Sequence, residues 1–571
     1  MSIDVFSESA EFKKAVEQAA LDMIKRETRA CPRYYKAIVT AAPYTDEILG
    51  NVCQVRLVGD ETVLTLPYSS CADLITVGDL VWVQTTYDSF RNAVVLIKTN
   101  MRTESSVPPK HYGAKWDKTL AKMTRLYDAE NFPTDTTNFG YFGSVNANYS
   151  NPFDDIYPWS EMQLCNIDMN AYLNLSPGDS LTECITAWEN DPAFSYQDQY
   201  GVWRYRPSFY GKSWDDGTYR YFDVCGSQMD GYIYYPESIV GRWIGREVAL
   251  SVNGTTKNCL IPSVGLPAGN IAMSTLHTYA KNFGATLDSI YSIDADSILF
   301  AVEYANLNSQ QAIGNGVSGL CRDSSDLFVE NTTSSTVVKV NSADSDLCIP
   351  GAQMDIGTLV GGNQIGSFQI VSAATDSQNS NYRLIYLDSP VTVTTSNYWS
   401  IHGAGNVADE AIGSRSGYLG SNGKANAYYR GIVQYGNRFV YILGLYKNYT
   451  DGHVWIAKND EEADQYDALN TSVHIDTGIV LANARGYIDD LGIAENSQHF
   501  SLPPICTAIG GNGTNPVGDY LYNDTSIFNT VACRGGYAAS YNYAGLFCIT
   551  WLYASSHSNW YYCARPRLKN P

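Results

Sequence analysis

The sequence is poor in charge, and the charge that it has is mainly acidic. Only 17% of its 571 residues are charged, and 38 Lys and Arg stand against 59 Asp and Glu, giving a net charge of −21. Globular proteins usually have roughly 25% charged residues. A nucleic-acid binder needs a basic face to replace the counterions of the phosphates. The composition therefore argues against nucleic acid as a partner.

Long hydrophobic runs are also missing. The strongest late apolar run, residues 544–554, is too short for a membrane span, because a helix needs about 20 residues to cross the hydrocarbon. The first residues, 1–5, have neither the basic region nor the apolar stretch of a secretory signal. We therefore expect no membrane insertion, and a protein that is made in a host cytoplasm and not exported by the usual route.

Metal and catalytic signatures are equally sparse. The 13 cysteines include no CxxC pair, and the seven histidines show no HxH or HExxH spacing. Most of the cysteines are expected to be buried thiols. Adjacent acids such as Asp154-Asp155 and Asp489-Asp490 are typical of solvated turns, whereas glycoside hydrolysis needs two spaced carboxylates. The residues thus predict no catalytic site, no metal site and no cofactor.

Tyrosine is the residue that the sequence has in excess. There are 43 tyrosines, and 44% of the chain is hydrophobic, so it can bury large cores and is not a disordered acidic tail. Tyr together with Ser, Asn and Gly is also the composition of antibody binding sites, which combine rigid aromatic contacts with adaptable hydrogen bonds. The composition indicates a folded protein with a surface suited to binding.

The first hundred residues divide into a helical pattern and a β pattern. Residues 1–30 predict a helix that serves oligomerisation or virion docking, or else packs on its own domain. Its apolar seam consists of Phe12, Val16, Ala19 and Met23. Residues 31–100 predict a small β-barrel, OB-like in topology, from five strand-like segments at 34–40, 53–57, 63–66, 77–83 and 92–98. This region resembles the small barrels near the N-terminus of many phage tail proteins.

Beyond residue 100 the pattern changes. Residues 101–150 are expected to be a linker or irregular segment, since Pro108-Pro109 interrupts regular structure. From residue 151 onward, short aromatic strands and long loops surround two clear helices, near 273–283 and 288–304. Residues 321–402 are typical of a β-rich insert, with strand-like segments at 337–340, 366–371 and 382–387.

Several stretches after residue 150 carry a family resemblance. They are 157–162 (YPWSEM), 205–210 (YRPSFY), 303–317 (EYANLNSQQAIGNGV), 429–437 (YRGIVQYGN) and parts of 534–565. Together they resemble phage tail-fibre and receptor-binding proteins with a C-type-lectin fold, the variant shared with formylglycine-generating enzymes and the major tropism determinant of a phage. The resemblance covers residues 151–571. It implies an α+β protein in which the N-terminal helix and the OB-like barrel precede a large C-type-lectin-like domain.

In that family the C-terminal segment is often the target of a diversity-generating retroelement, which changes side chains between constant framework positions. The resemblance implies framework residues at 535, 536, 544–547, 564 and 565, and a hypervariable segment at 533–565. The residues expected to bind a receptor are Tyr537, Ala538, Ser540, Tyr541, Tyr543, Cys548, Thr550, Trp551, Tyr553, Ser555, Ser556, His557, Ser558, Tyr561 and Tyr562.

The resemblance also implies a function. The chain is expected to be a homotrimeric receptor-binding protein at the phage tail tip, in contact with other virion tail proteins, that binds a bacterial surface protein or glycan. Two other classes stay open: a tail-spike depolymerase and a purely structural collar or baseplate protein. Formylglycine-generating activity rests on a closely spaced cysteine pair, whereas Cys548 and Cys563 are 15 positions apart. Family analogy leaves calcium open as a ligand, with the loop 448–452 as its place.

Overall fold

The computed structural model is rich in β-structure and divides into two compact units, Met1–Pro109 and Lys110–Pro571. It describes six strands within residues 1–98 and, apart from short internal gaps, residues 109–134, 151–313, 322–404, 427–524, 528–537 and 540–570. Among these residues, no helix is long and apolar enough to cross a membrane.

The first unit contains a six-stranded sheet. In spatial order its strands are Ser2–Ile3, Val63–Pro67, Gly50–Leu57, Arg33–Asp46, Leu80–Thr86 and Ser89–Lys98. The first pair is parallel and the other pairs are antiparallel. All five strands predicted from alternation are present. The helix predicted at 1–30 lies outside the described residues, apart from Ser2–Ile3, which form a strand; the seam residues concerned are Phe12, Val16, Ala19 and Met23.

The second unit has five α-helices in its described part. They are Met169–Leu173, Met273–Asn282, Ile290–Tyr304, Ser309–Ile313 and Asp460–Gln465. Short 3-10 helices occur at Pro152–Asp155, Trp159–Glu161, Leu181–Cys184 and Tyr541–Tyr543. The two longest α-helices are those predicted near 273–283 and 288–304, and their ends agree to within two residues.

The longest helix, Ile290–Tyr304, is called the central helix here because it is buried on nearly all sides. Of its 15 residues, only Tyr291 is not buried. A helix without a solvent-facing side has no polar face on which to place its charged residues. Asp294, Asp296 and Glu303 are therefore buried, and each is held by specific partners from other elements.

Sheet I packs against the central helix. Its strands, in spatial order, are Ile233–Tyr235, Phe209–Asp215, Tyr219–Cys225, His111–Asp117 and Thr124–Tyr127. The last two strands lie within residues 101–150, so the expectation of a linker or irregular segment is wrong there. Ala114 and Trp116 are fully buried in the main core, and their strand pairs with residues about a hundred positions later. The local composition of residues 101–150 therefore gives no information about a strand partner so far away in the sequence.

Two further sheets complete the body of the second unit. Sheet II consists, in spatial order, of Ile185–Trp188, Gln163–Ile167, Trp203–Arg206, Ser238–Gly241, Pro566–Leu568 and Thr286–Leu287. Sheet III consists of Ile475–Val480, His453–Ile456, Phe439–Lys447, Thr530–Gly535, Gly545–Thr550, Tyr520–Tyr522, Gly486–Leu491 and Cys506–Ile509, with Tyr562–Cys563 beside Phe439–Lys447. Two separate hairpins pair Arg246–Val252 with Thr255–Ile261 and Ala427–Tyr429 with Ile432–Tyr435.

The insert expected at 321–402 forms a sheet of its own. In spatial order its strands are Arg322–Leu327, Tyr398–Ala404, Ala352–Leu359, Gly362–Thr375, Tyr382–Val393 and Asn331–Asn341. It has a separate hydrophobic core that includes Val338, Met354, Ile385 and Trp399. The three strand-like segments predicted from the sequence all fall within these strands.

A buried ion-pair network joins residues that lie in, or next to, three of the sequence stretches that carry the resemblance. The Arg430 guanidinium binds both carboxylate oxygens of Glu303 on the central helix and one oxygen of Asp154. Asn151 donates its side-chain N–H to Glu303 at 2.6 Å. Because Arg430 and Glu303 are both buried, removing one would leave the other charged and without its main partner in the core.

Nine cysteines lie in the part of the second unit that the structure describes. All are buried free thiols: Cys165, Cys184, Cys225, Cys259, Cys348, Cys506, Cys533, Cys548 and Cys563. Burial raises the pKa of Cys506 to about 12 and that of Cys563 to about 11, so both stay protonated at neutral pH. For these nine residues the expectation of buried thiols is confirmed.

Candidate functional site

The C-terminal segment contains positions where only glycine fits. Gly535 and Gly536 have φ angles of 96° and 75°, in the left-handed region that favours glycine. A Cβ atom on Gly536 would lie 2.8 Å from the Cβ of Ala544, and one on Gly545 would collide with the carboxylate of Asp519. These framework positions allow the backbone to approach its neighbours closely and hold the strands of sheet III in place.

A continuous group of partly buried aromatic side chains lies beside this framework. We call it the aromatic surface; its members are Tyr487, Tyr520, Tyr522, Tyr537, Tyr543, Tyr553, His557, Trp560 and Tyr561. Tyr522, Tyr537, Tyr553 and Tyr561 pack against the hydrophobic core below them. Each of these four rings therefore has one part fixed by the core and another part accessible to solvent.

Strands of sheet III carry one end of the aromatic surface. Tyr520 and Tyr522 alternate with the fully buried Leu521, so their rings lie on the same side of the strand, with centroids 4.8 Å apart. The Tyr543 ring is 4.5 Å from Tyr520 and 5.5 Å from Tyr487. Tyr543 is 37% exposed and is the most accessible aromatic residue of this end.

The C-terminal loop, residues 551–561, carries the other end. His557 stacks on Tyr553, with ring centroids 3.8 Å apart and planes within 9° of parallel. Tyr561 lies 5.0 Å from Tyr537, between ring centroids. These separations lie within or just below the range in which aromatic pairs attract beyond simple burial, so the rings restrict one another's rotation.

A buried ring connects the two ends. The Phe439 centroid is 6.0 Å from that of Tyr522 and 5.7 Å from that of Tyr537. Tyr537 is in turn 5.7 Å from Trp560. The nine rings therefore form one network across strands and loop.

The backbone of the C-terminal loop is fixed along its length. Four anchoring hydrogen bonds, each 2.9–3.0 Å long, run from Val531 N–H to the Tyr553 carbonyl, from the Tyr441 hydroxyl to the His557 carbonyl, from Asn270 N–H to the Asn559 carbonyl and from Phe439 N–H to the Tyr561 carbonyl. A loop held in this way loses little conformational freedom when a partner binds. The rings are therefore presented in a preorganised arrangement.

The aromatic surface is electrically neutral at neutral pH. Burial lowers the pKa of His557 below its ordinary value, so its imidazole is uncharged, and burial raises the pKa of the Tyr487 phenol. The nearby guanidinium of Arg485 is paired with the carboxylate of Asp524. Such a surface suits aromatic and hydrogen-bonding contacts rather than attraction between net charges.

The structure divides the predicted receptor-contact residues into three groups. Eight are exposed or half-buried: Tyr537, Tyr543, Tyr553, Ser555, Ser556, His557, Ser558 and Tyr561. Five are buried: Ser540, Cys548, Thr550, Trp551 and Tyr562. Ala538 lies outside the described residues, as does the side chain of Tyr541, whose backbone begins a 3-10 helix.

The five buried residues cannot contact a receptor in this conformation, and their inclusion is corrected. The alternation of residues 548–553 in the sequence predicts that Cys548 and Thr550 face outward, but every residue of Gly545–Thr550 is buried. This strand lies between two others in the middle of sheet III and is covered on both faces, so neither face meets solvent. Tyr562 is buried beneath the aromatic surface, in contact with Phe439.

Four members of the aromatic surface come from outside the predicted contact set. Tyr487, Tyr520 and Tyr522 precede the candidate variable segment, and Trp560 lies within that segment, where the sequence favours a place in the core for it. The alternation of two tyrosines around Leu521 is a signal that could have indicated a surface strand. Their position beside Tyr543, however, depends on strand pairing that the sequence does not reveal.

The loop 448–452 uses its polar side chains to hold its own turn. Asn448 Oδ1 accepts from Thr450 N–H and Asp451 Oδ1 accepts from His453 N–H, both at 2.9 Å. Across the described ranges, no group of three or more His, Cys, Asp or Glu side chains is arranged to hold a metal ion. The aromatic surface is thus the arrangement in which the sequence prediction and the geometry coincide best.

Comparison with known proteins adds no family assignment. The sequence matches no protein-family model, and no curated protein matches it. The functional interpretation therefore depends on the geometry of the aromatic surface and on the motifs quoted above.

Proposed function

We propose that this chain is a phage tail receptor-binding protein that attaches the virion to a bacterial surface protein or glycan through the aromatic surface. The observation that carries the proposal is the set of nine partly accessible rings on an anchored backbone. Tyr and Trp are enriched among the residues that dominate binding energy, because they bring large contact area at low cost in side-chain entropy.

The finer fold assignments belong to the same proposal. We propose an OB-like barrel for residues 31–100 and a C-type-lectin-like fold for residues 151–571. The six-stranded sheet of the first unit supports the barrel assignment. The ion pair between Glu303 and Arg430 and the glycine framework at Gly536 and Gly545 support the assignment for residues 151–571, because the motif residues take part in its packing. In this reading the C-terminal segment varies at its accessible positions while the framework stays constant.

Attachment by such a protein depends on several copies. We propose a homotrimer that contacts other tail proteins through its N-terminal part. Linking two weak sites raises the overall affinity by roughly 10²–10⁴ when the geometry allows both to engage. Individually weak aromatic contacts are then sufficient, and exchange of single side chains changes the host without rebuilding the fold.

Binding of purified chain to a panel of bacterial strains tests the proposal. We expect saturable adhesion to at least one strain, and a loss of about 10- to 100-fold in affinity for the double variant Tyr487→Ala/Tyr543→Ala, since truncating central aromatic contacts typically costs a few kcal/mol. Tyr386→Ala is the matched control: Tyr386 is 36% exposed, like Tyr543, but belongs to the insert sheet.

Three results of this experiment would contradict the proposal. The absence of adhesion to every strain would favour a structural virion protein. An equal loss in the control variant would separate adhesion from the aromatic surface. Sustained release of reducing sugar from capsule would favour a depolymerase. Because the surface is neutral, we also expect adhesion to change little with added NaCl, whereas a charge-driven contact would weaken steeply.

A further inference from the structure

A lysine and an asparagine side chain meet in the interior of the second unit. Lys447 is the last residue of the strand Phe439–Lys447, and Asn523 directly follows the strand Tyr520–Tyr522. The Lys447 amine donates to Asn523 Oδ1 at 2.7 Å and to the backbone carbonyl of Asp524 at 3.2 Å. Only 3% of Lys447 and 2% of Asn523 are exposed, so bulk water is kept away from the contact.

The surroundings of Lys447 make its amine a nucleophile. A buried lysine is usually paired with a carboxylate, whereas this amine contacts two neutral oxygens, an amide and a backbone carbonyl. Burial lowers the pKa of Lys447 to about 8, although the negative charge of Asp524 opposes this change. At pH 7 about a tenth of the molecules therefore carry the neutral amine, the form that attacks a carbonyl carbon.

The amine is also close to the carbon atom that it can attack. Because a C=O bond is about 1.2 Å long, an amine 2.7 Å from Oδ1 lies at most about 3.9 Å from Cγ of Asn523. Reacting atoms in a productive arrangement are about 3–3.5 Å apart, and such proximity corresponds to an effective concentration of roughly 10⁵–10⁸ M. A shift of about 0.5 Å is thus sufficient to bring the two groups into reach.

We propose that Lys447 and Asn523 are a site of self-modification, at which the two side chains join in an isopeptide bond. The neutral amine attacks Cγ of Asn523; a C–N bond forms, and the bond from Cγ to Nδ2 breaks. The attacking nitrogen loses a proton to the carboxylate of Asp524, which is half exposed and acts on the amine through its charge. The departing nitrogen takes up a proton and leaves as ammonia. No atom is oxidised or reduced, and no co-reactant is needed.

The bond links two strands of sheet III that are not neighbours. Thr530–Gly535 and Gly545–Thr550 lie between Phe439–Lys447 and Tyr520–Tyr522 in the spatial order of the sheet. A covalent link between residues 76 positions apart restricts the unfolded chain and thereby stabilises the folded one. It also fixes the strand that carries two tyrosines of the aromatic surface. The link forms whether or not that surface binds a receptor.

The mass of the full-length chain tests the proposal. We expect the wild type, after expression and incubation for several days at neutral pH, to be lighter than its sequence by one ammonia. Lys447→Met is expected to have its full sequence mass, because methionine is similarly long and unbranched but has no amine. Lys339→Met is the matched control: the Lys339 amine contacts the carboxylate of Asp376 at 2.7 Å, so this variant should still lose one ammonia.

A tryptic peptide map identifies the two residues that are joined. Trypsin cleaves after Lys and Arg but not after an acylated lysine, so residues 439–458 and 486–534 are expected in one branched peptide. Fragmentation of this peptide should place the link at Lys447 and Asn523. Ring closure at the Asn512-Gly513 step also releases ammonia, but it leaves the two peptides separate. The map therefore distinguishes the two reactions.

The proposal is overturned if the wild type keeps its full sequence mass, or if its map contains residues 439–447 and 448–458 as separate peptides and no branched one. Both readouts use the wild-type chain, so a folding defect in a variant does not affect them. Adhesion to bacteria is measured separately. A missing link with adhesion retained concerns Lys447 and Asn523 alone, whereas missing adhesion in a linked chain concerns the proposed function alone.

Discussion

The imidazole of His277 contacts a carboxylate on each side. Its Nε2 lies 2.9 Å from Asp464 Oδ1 and its Nδ1 lies 2.5 Å from Asp467 Oδ1. Both nitrogens can donate only when the ring is protonated. Although burial by itself lowers the pKa of His277, the two carboxylates prevail and raise it above 6.5. A charged histidine thus ties the helix Met273–Asn282 to the helix Asp460–Gln465 and to the segment that follows it.

This arrangement predicts a pH-dependent stability. We expect His277→Asn to lower the free energy of unfolding by about 2 kcal/mol at about pH 6, the size of hydrogen bonds to charged groups. The folded-state pKa lies above that of the unfolded chain, so this contribution is complete below pH 6.5 and is lost as the pH rises through the folded-state value. Urea unfolding of both proteins from pH 5 to 9 measures the difference.

A half-exposed histidine provides the control for this measurement. His453 contacts Asp476 at 2.8 Å, but both side chains are about one-third exposed, so solvent screens the pair. We expect His453→Asn to change the stability by less than about 1 kcal/mol. If the loss in His277→Asn were the same at pH 6 and pH 9, the charged form of His277 would not be what stabilises the fold.

Among the elements, the central helix is held by its acids as much as by its apolar residues. Asp294 accepts from the Tyr235 hydroxyl and from two backbone N–H groups at residues 501 and 502. Burial raises its pKa to about 7 although these hydrogen bonds lower it. Asp296 binds Arg204, and Glu303 binds Arg430. One helix therefore connects sheet I, sheet II and the hairpin at 427–435.

Removing a cation from this helix should be costly. We expect Arg430→Met to lower the free energy of unfolding by about 3–5 kcal/mol, because Glu303 would remain buried without its main cationic partner. Arg485→Met is the matched control, since its ion pair with Asp524 is about half exposed. Exposed pairs contribute about 0–1 kcal/mol. Denaturant unfolding of both variants tests the contrast, and equal losses would contradict the role given to burial.

On the scale of the whole molecule, the insert sheet is a candidate for removal. Its core residues all lie between 338 and 399 and belong to neither large core of the second unit. The elements that flank it, Ser309–Ile313 and Ala427–Tyr429, pack beside each other. A short flexible linker can therefore replace it without separating them.

We expect a chain in which residues 322–404 are replaced by a short Gly-Ser linker to keep a cooperative unfolding transition, with the aromatic surface intact. Near-UV circular dichroism and thermal unfolding measure this, and adhesion measures the surface. Ile385→Asp in the full chain is the companion variant, because it places a charge in the insert core alone. Loss of cooperative unfolding in the deleted chain would show that the insert supports the rest of the fold.

Local patterns in the sequence determined a large part of this fold. The alternation of strands such as 34–40 and 53–57, the apolar spacing of the central helix and the Ser- and Thr-rich insert all depend on near neighbours along the chain, and the structure agrees with each. The excess of tyrosine likewise indicated rings at a surface.

Tertiary structure alone decided which side chains face solvent. Cys548, Thr550 and Trp551 have the composition of a binding strand, yet all three are buried. Gly545–Thr550 is an inner strand of sheet III, and its alternate residues Cys548 and Ile549 pack into the two different hydrophobic cores. Tyr487 and Tyr520 join the aromatic surface through the pairing of two strands that are separate in the sequence. Exposure and proximity are properties of packing between distant segments, and a pattern of neighbours along the chain does not contain them.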